Sequence, residues 1–86
     1  MFEINKKLLK TPVEGGKILL LEPEAGLYFE MNEVSILIYQ AIDDGLDEQA
    51  TLQKIVNQYY VDEAQAAIDL KVHIGQLLKQ SIIVRT

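Results

Sequence analysis

The stretch Lys17-Ile18-Leu19-Leu20-Leu21-Glu22-Pro23-Glu24-Ala25-Gly26-Leu27-Tyr28-Phe29-Glu30-Met31-Asn32 decides the fold. Its apolar run, Ile18 to Leu21, is bounded by Gly15-Gly16 before and Pro23 after, which is strand punctuation. With no polar alternate, the run predicts a strand covered on both faces. Pro23 fixes φ and Gly26 permits a positive φ, so Pro23 to Gly26 reads as a turn. Beyond the turn, Leu27, Phe29 and Met31 point one way and Tyr28 and Glu30 the other. The result is a hairpin with a clear inner face. An isolated hairpin is marginal in water, so a third strand is expected. Leu8 to Val13 supplies it, and Pro12 confines it to an edge.

Downstream the apolar period changes from two to helical. Asn32 suits an N-cap, with Glu33 in the first turn. Val34, Leu37, Ile38, Ala41 and Ile42 recur at helical spacing. Asp43-Asp44-Gly45 stops this helix, with Gly45 at the left-handed C′ position and both aspartates in the turn, since acids oppose the dipole at a helix C-terminus. Thr51 is expected to cap a short second helix carrying Leu52, Ile55, Val56 and Tyr59. Asp62 caps a third, running to about Gln80. Ile82-Ile83-Val84 reads as a short strand or a packed tail. On the third helix Ala67, Leu70, Ile74, Leu77 and Leu78 form the core stripe. Ala66, Asp69, His73, Gln76 and Gln80 lie on one flank, and Ile68, Lys71, Val72, Gly75 and Lys79 on the other. Ile68 and Val72 either complete an apolar patch or pack against the strands. Gly75 costs about 1 kcal/mol against Ala in a helix interior, which leaves two explanations, close approach of another backbone or simple tolerance.

Composition narrows the chemistry. The chain has 86 residues, enough for one domain spanning 1–86, with no cysteine and a single histidine. Disulfides, thiolate zinc sites, iron–sulfur clusters, a cysteine nucleophile and any site needing two imidazoles are excluded. Formal charge is −5, with residues 1–17 holding four lysines against two glutamates and residues 18–86 holding four bases against eleven acids. The acidic body would repel a phosphate backbone. Lys6, Lys7 and Lys10 form a small basic cluster, either solvated or touching a partner. The apolar run Ile18 to Leu21 is far too short to span a bilayer, and Met1 to Lys10 has no signal-peptide core, so a cytoplasmic location is expected. No cofactor is expected and no residue is assigned as catalytic. His73 has only Asp69 one turn away, Glu22, Glu24 and Glu30 read as solvent charges and edge protection, and Asp43-Asp44-Gly45-Leu46-Asp47 lacks the ligand spacing of a calcium loop. Tyr59-Tyr60 reads as core and helix end.

Three antiparallel strands followed by three helices give an α+β, winged-helix-like architecture. At the residue level the chain resembles the PqqD family, named for pyrroloquinoline quinone biosynthesis protein D and similar to the recognition elements of ribosomally made, post-translationally modified peptide pathways. The resemblance runs over about residues 16–84. Met31-Asn32 stands where the family has Leu-Asn, Tyr39 where its first helix carries an aromatic, and Asp44-Gly45 where that helix ends in Asp-Gly. Thr51 to Val56 matches the second-helix start. Asp69-Leu70-Lys71-Val72-His73-Ile74-Gly75-Gln76-Leu77 matches the long-helix motif, and Ser81-Ile82-Ile83 the close. Three departures stand out: about three extra residues between Gly45 and Thr51, His73 for the usual Phe, and Ser81 for Gly.

The resemblance implies a non-enzymatic protein that binds the leader segment of a precursor peptide and presents it to a maturase, such as a radical SAM enzyme in quinone cofactor biosynthesis or a leader peptidase in a lasso-peptide pathway. The implied route is addition of the leader as an extra strand beside Leu27–Met31, in a cleft closed by the third helix. The candidate peptide-binding residues are Leu27, Tyr28, Phe29 and Glu30 from the strand and Asp69, Val72, His73 and Gln76 from the helix, drawn from both flanks. The competing classes are a winged-helix DNA-binding regulator and a structural or chaperone subunit of an enzyme complex. A DNA reader places Arg, Lys, Asn or Gln at the start of its recognition helix, where this chain has Asp62-Glu63-Ala64-Gln65.

Overall fold

A computed structural model of the protein describes residues 2–86. The elements run β1 (Phe2–Ile4), β2 (Leu9–Pro12), β3 (Ile18–Glu22), β4 (Leu27–Met31), α1 (Glu33–Asp43), α2 (Glu48–Tyr59), α3 (Glu63–Lys79) and β5 (Ile83–Arg85). β2, β3 and β4 form a three-stranded antiparallel sheet in that order, and the three helices follow it, as expected. A second sheet, absent from the sequence reading, pairs β1 with β5 through Phe2↔Arg85 and Ile4↔Ile83. A strand as short as β1 shows no period, and its pairing joins opposite ends of the chain, so no local pattern announces it, whereas β5 answers to the short strand read at Ile82-Ile83-Val84. The pairing makes Ile83 and Val84 strand, and Ile82 and Ile83 are both buried.

The register sorts the sheet into two faces. Leu20 lies opposite Lys10 and Phe29, and Ile18 opposite Pro12 and Met31. This is the inner face, where Leu20 is 0% exposed and Met31 is buried among Ile38, Ile42, Leu70, Ile74 and Leu77. Lys10, on the edge strand, lays its ammonium 5.7 Å from the centre of the Tyr39 ring, a cation–π contact that roofs the sheet margin. The outer row is Leu9, Leu21 and Tyr28, all exposed. The expectation that Ile18–Leu21 is covered on both faces is therefore corrected. Only one face has helices against it, and the apolar run alone cannot distinguish one-sided from two-sided cover.

Caps place the helices. The Asn32 side chain accepts from the Ser35 amide at 2.9 Å, and Asp62 from the Gln65 amide at 3.1 Å. Thr51 does not cap the second helix. Asp47 does, accepting from the Ala50 amide at 2.8 Å, and Thr51 lies one turn inside, buried, with its hydroxyl donating to the Asp47 carbonyl at 2.8 Å. The residues between Gly45 and Thr51 thus become an extra helical turn. Asp43 closes α1 and Asp44 is its C-cap, so only part of the aspartate pair belongs to the turn, while Gly45 takes the expected left-handed φ of 81°. Tyr60 ends α2 at φ 53° and is exposed, so the pair Tyr59-Tyr60 splits between core margin and solvent.

On α3 the buried residues are Ala66, Leu70, Ile74 and Leu77, with Ala67 and Leu78 half-buried, so the core stripe is rotated slightly toward Ala66. Ile68 and Val72 stay exposed. A Cβ added at Gly75 would meet nothing within 4 Å, which removes close backbone approach as its reason. Gly75→Ala is expected to stabilise the fold by about 0.5–1 kcal/mol. Thermal melts should show a rise of several degrees, and a fall would mean that an unseen contact occupies that face.

Candidate functional site

β4 is an edge strand: β3 pairs with one side of it, and among the described residues no strand pairs with the other. Its inner-face side chains, Leu27 and Phe29, turn toward the C-terminal half of α3. Together with Gln76, Lys79 and Gln80 they line an open groove of about 1030 Å³. The groove's far end is built from the chain termini and the hairpin turn. Asn5 donates its side-chain amide to the Ser81 carbonyl at 2.8 Å and its backbone amide to the Ile82 carbonyl at 2.9 Å, which ties the end of β1 to the turn after α3. Lys7 reaches Glu24 of the hairpin turn at 3.2 Å, and the Glu22 carboxylate accepts from the Ala25 amide. Lys7 and Lys10 thus have separate partners and do not act as one basic cluster.

A second cavity, of about 250 Å³, lies further along α3 toward its N-terminus. Asp69 and His73 line it, together with Val34, the second residue of α1. Since Leu27 and Phe29 sit near Gln76 to Gln80, and Val34 near Asp69 and His73, strand and helix run in opposite directions. Asp69, His73, Gln76 and Gln80 share one flank of α3, and this flank faces both cavities.

The structure divides the candidate peptide-binding residues into groups. Leu27, Phe29 and Gln76 share the groove, and Asp69 and His73 share the smaller cavity. Val72 is exposed and lines neither. Tyr28 (70% exposed) and Glu30 stand on the sheet's outer face, so of these two only the backbone lies along the edge. Glu30 pairs there with Lys17 at 2.8 Å, and its hydrogen bond and charge raise the lysine pKa. Asp69 accepts from the Gln65 side-chain amide at 3.0 Å. His73 Nδ1 donates to the Asp69 backbone carbonyl at 3.0 Å, so the imidazole is not hydrogen-bonded to the Asp69 carboxylate. Lys79 and Gln80 were absent from the candidate set, although Gln80 continues the stripe of Asp69, His73 and Gln76 by one turn. Asn5 and Lys7 carry no local signal, because the Asn5 contact to Ser81 spans most of the chain and Lys7 reaches Glu24 across two strands.

Among the described residues no group of three or more His, Asp or Glu is placed to hold a metal, and no helix is long and apolar enough to cross a membrane. A comparison with curated proteins finds no match. Two solved structures share the fold over nearly the whole chain. One is a lasso peptide synthetase B1 complexed with the leader peptide, with a TM-score of 0.88 at 21% identity, covering 98% of each chain. The other is TbiB1 in complex with the TbiA(beta) leader peptide, with a TM-score of 0.87 at 19% identity, covering 98% of this chain and 96% of that one. The sequence matches the family described as Coenzyme PQQ synthesis protein D (PqqD) over residues 17–83, which is most of its length, and the chain therefore belongs to the PqqD family.

Proposed function

We propose that this chain binds the leader segment of a ribosomally synthesised precursor peptide as an added strand on β4 and presents it to a modifying enzyme or protease. The observation that carries the reading is the unpaired edge of β4 standing beside a groove walled by α3. Free N–H and C=O groups along an edge bind an extended peptide with little demand on its sequence. Leu27 and Phe29 offer apolar contact to the peptide's inward side chains, and Gln76, Lys79 and Gln80 offer polar contact from the opposite wall. Both structural neighbours hold leader peptides, which supports the same use here. The lasso peptide synthetase among them favours a leader peptidase as the partner enzyme over the radical SAM enzyme of a quinone pathway.

The test is a search of the neighbouring genes for a short precursor peptide, then calorimetry with its leader, followed by amide hydrogen exchange. Affinity in the micromolar range or better, about −8 kcal/mol, is expected. New protection should fall on residues 27–31. Protection confined to the other edge, β2, or absence of binding would reject the proposal.

A further inference from the structure

α3 carries a second apolar stripe on the side away from the core. At 100° per residue, Ile68, Val72, Gly75 and Lys79 fall within about 40° of the direction opposite the buried residues Ala66, Leu70, Ile74 and Leu77. Ile68 and Val72 are 59% and 53% exposed, so more than half of each aliphatic residue faces water. Neither lines the open groove or the smaller cavity. Gly75 weakens the helix interior, and no contact within the chain accounts for it, because a Cβ there would meet nothing within 4 Å. A bare glycine next to two exposed aliphatic residues leaves room for the backbone of another element.

The stripe also differs in charge from the rest of the chain. Lys71 flanks it and Lys79 ends it beside the open groove, and neither has an ion pair among the described residues. The acids of α3 and its cap are committed elsewhere. Asp62 accepts from the Gln65 amide, Glu63 from the Gln53 side chain of α2, and Asp69 from the Gln65 side chain. A chain of formal charge −5 thus shows a cationic, apolar strip along one helix. A second copy packed here about Val72 would set lysine against lysine with no acid to answer it. A strip of about three turns is also smaller than the roughly 800 Å² per partner of a stable interface, which suits a contact that forms and releases.

We infer that this strip docks the enzyme that receives the leader, through an amphipathic helix of that enzyme whose contact face is apolar and whose flanks carry Glu or Asp. This rests on the leader-binding reading and adds to it the surface, separate from the peptide groove, on which carrier and enzyme meet. The occupant is a helix because Ile68, Val72 and Gly75, at i, i+4 and i+7, form the kind of ridge against which another helix packs, and Gly75 removes the side chain that would hold its axis away. It is acidic because Lys71 and Lys79 face no acid of their own chain.

Two synthetic helical peptides test the strip without any enzyme. Both carry leucine and alanine on one face, and one has glutamates on its flanks where the other has lysines. Methyl resonances of Ile68 and Val72 should shift with the acidic peptide at millimolar concentration, and far less with the basic one. No shift with the acidic peptide, or equal shifts with both, overturns the inference. Against the modifying enzyme or protease found in the neighbouring genes, Ile68→Glu should weaken association at least about tenfold and leave leader affinity unchanged. Gly75→Leu should melt no lower than wild type, since leucine favours a helix, yet lose a similar factor in enzyme affinity. Lys71→Glu should lose about two- to fivefold, most at low salt. Wild-type affinity for the enzyme in Ile68→Glu or Gly75→Leu overturns the inference, as does a dimer in sedimentation that Ile68→Glu dissociates. If no leader binds but the acidic peptide still shifts Ile68 and Val72, the leader reading fails while the strip keeps its chemistry.

Discussion

Leu20→Ala is expected to destabilise the protein by roughly 2–5 kcal/mol, the range for a leucine truncated in a packed core. Domains of this size have about 5–15 kcal/mol in total, so the loss approaches the margin of folding. Leu20 is wholly buried at the middle of the central strand, between Lys10 and Phe29, and joins the sheet to the helical core. Leu21→Ala, one residue on, should cost under about 1 kcal/mol, because Leu21 stands on the exposed row with Leu9 and Tyr28. Urea midpoints of the two variants check the difference. Equal losses would mean that the outer face of the sheet is covered, and the orientation of the sheet against the helices would have to be revised.

That pair of leucines also shows what the sequence can and cannot reveal. Ile18 to Leu21 announces a strand but not its cover, since four apolar residues in succession carry no alternation to mark a solvent face. β4 does alternate, and the facing of Leu27, Phe29 and Met31 against Tyr28 and Glu30 could be read directly and stands in the register. The caps Asn32 and Asp62 were legible because each precedes an apolar helical period. Asp47 was missed in favour of Thr51, although both are good capping residues. The choice between them depends on whether one more turn can be buried, and Thr51 itself turns inward.

The site was legible in part for the same reason. A helical wheel places Asp69, His73, Gln76 and Gln80 on one flank, but it cannot say which flank a sheet will approach. That was decided by packing at long range: the end of β1 is tied to the α3–β5 turn through Asn5, and the groove closes around that tie. His73, which stands where the family usually has a phenylalanine, lines the small aliphatic cavity rather than the main groove.

The largest functional loss is expected from proline on β4. In an antiparallel ladder, successive residues direct their N–H groups alternately to the partner strand and away from it. Of Tyr28→Pro and Phe29→Pro, one deletes a bond to β3 and the other deletes a donor from the free edge. The first should unfold the hairpin. The second should leave a cooperative fold, since proline is tolerated on an edge strand whose N–H faces outward. That folded variant should bind the leader at least about tenfold and up to a hundredfold more weakly, because the peptide's carbonyl loses its donor and stays unsatisfied in the groove. Alanine at the same position supplies the reference that removes the side-chain contribution, which matters for Phe29 because its ring lines the groove. Circular dichroism identifies which proline folds, and titration calorimetry gives its affinity. A folded proline variant that binds as tightly as its alanine counterpart would show that the leader does not pair with this edge, and the groove would then have to hold it by side chains alone.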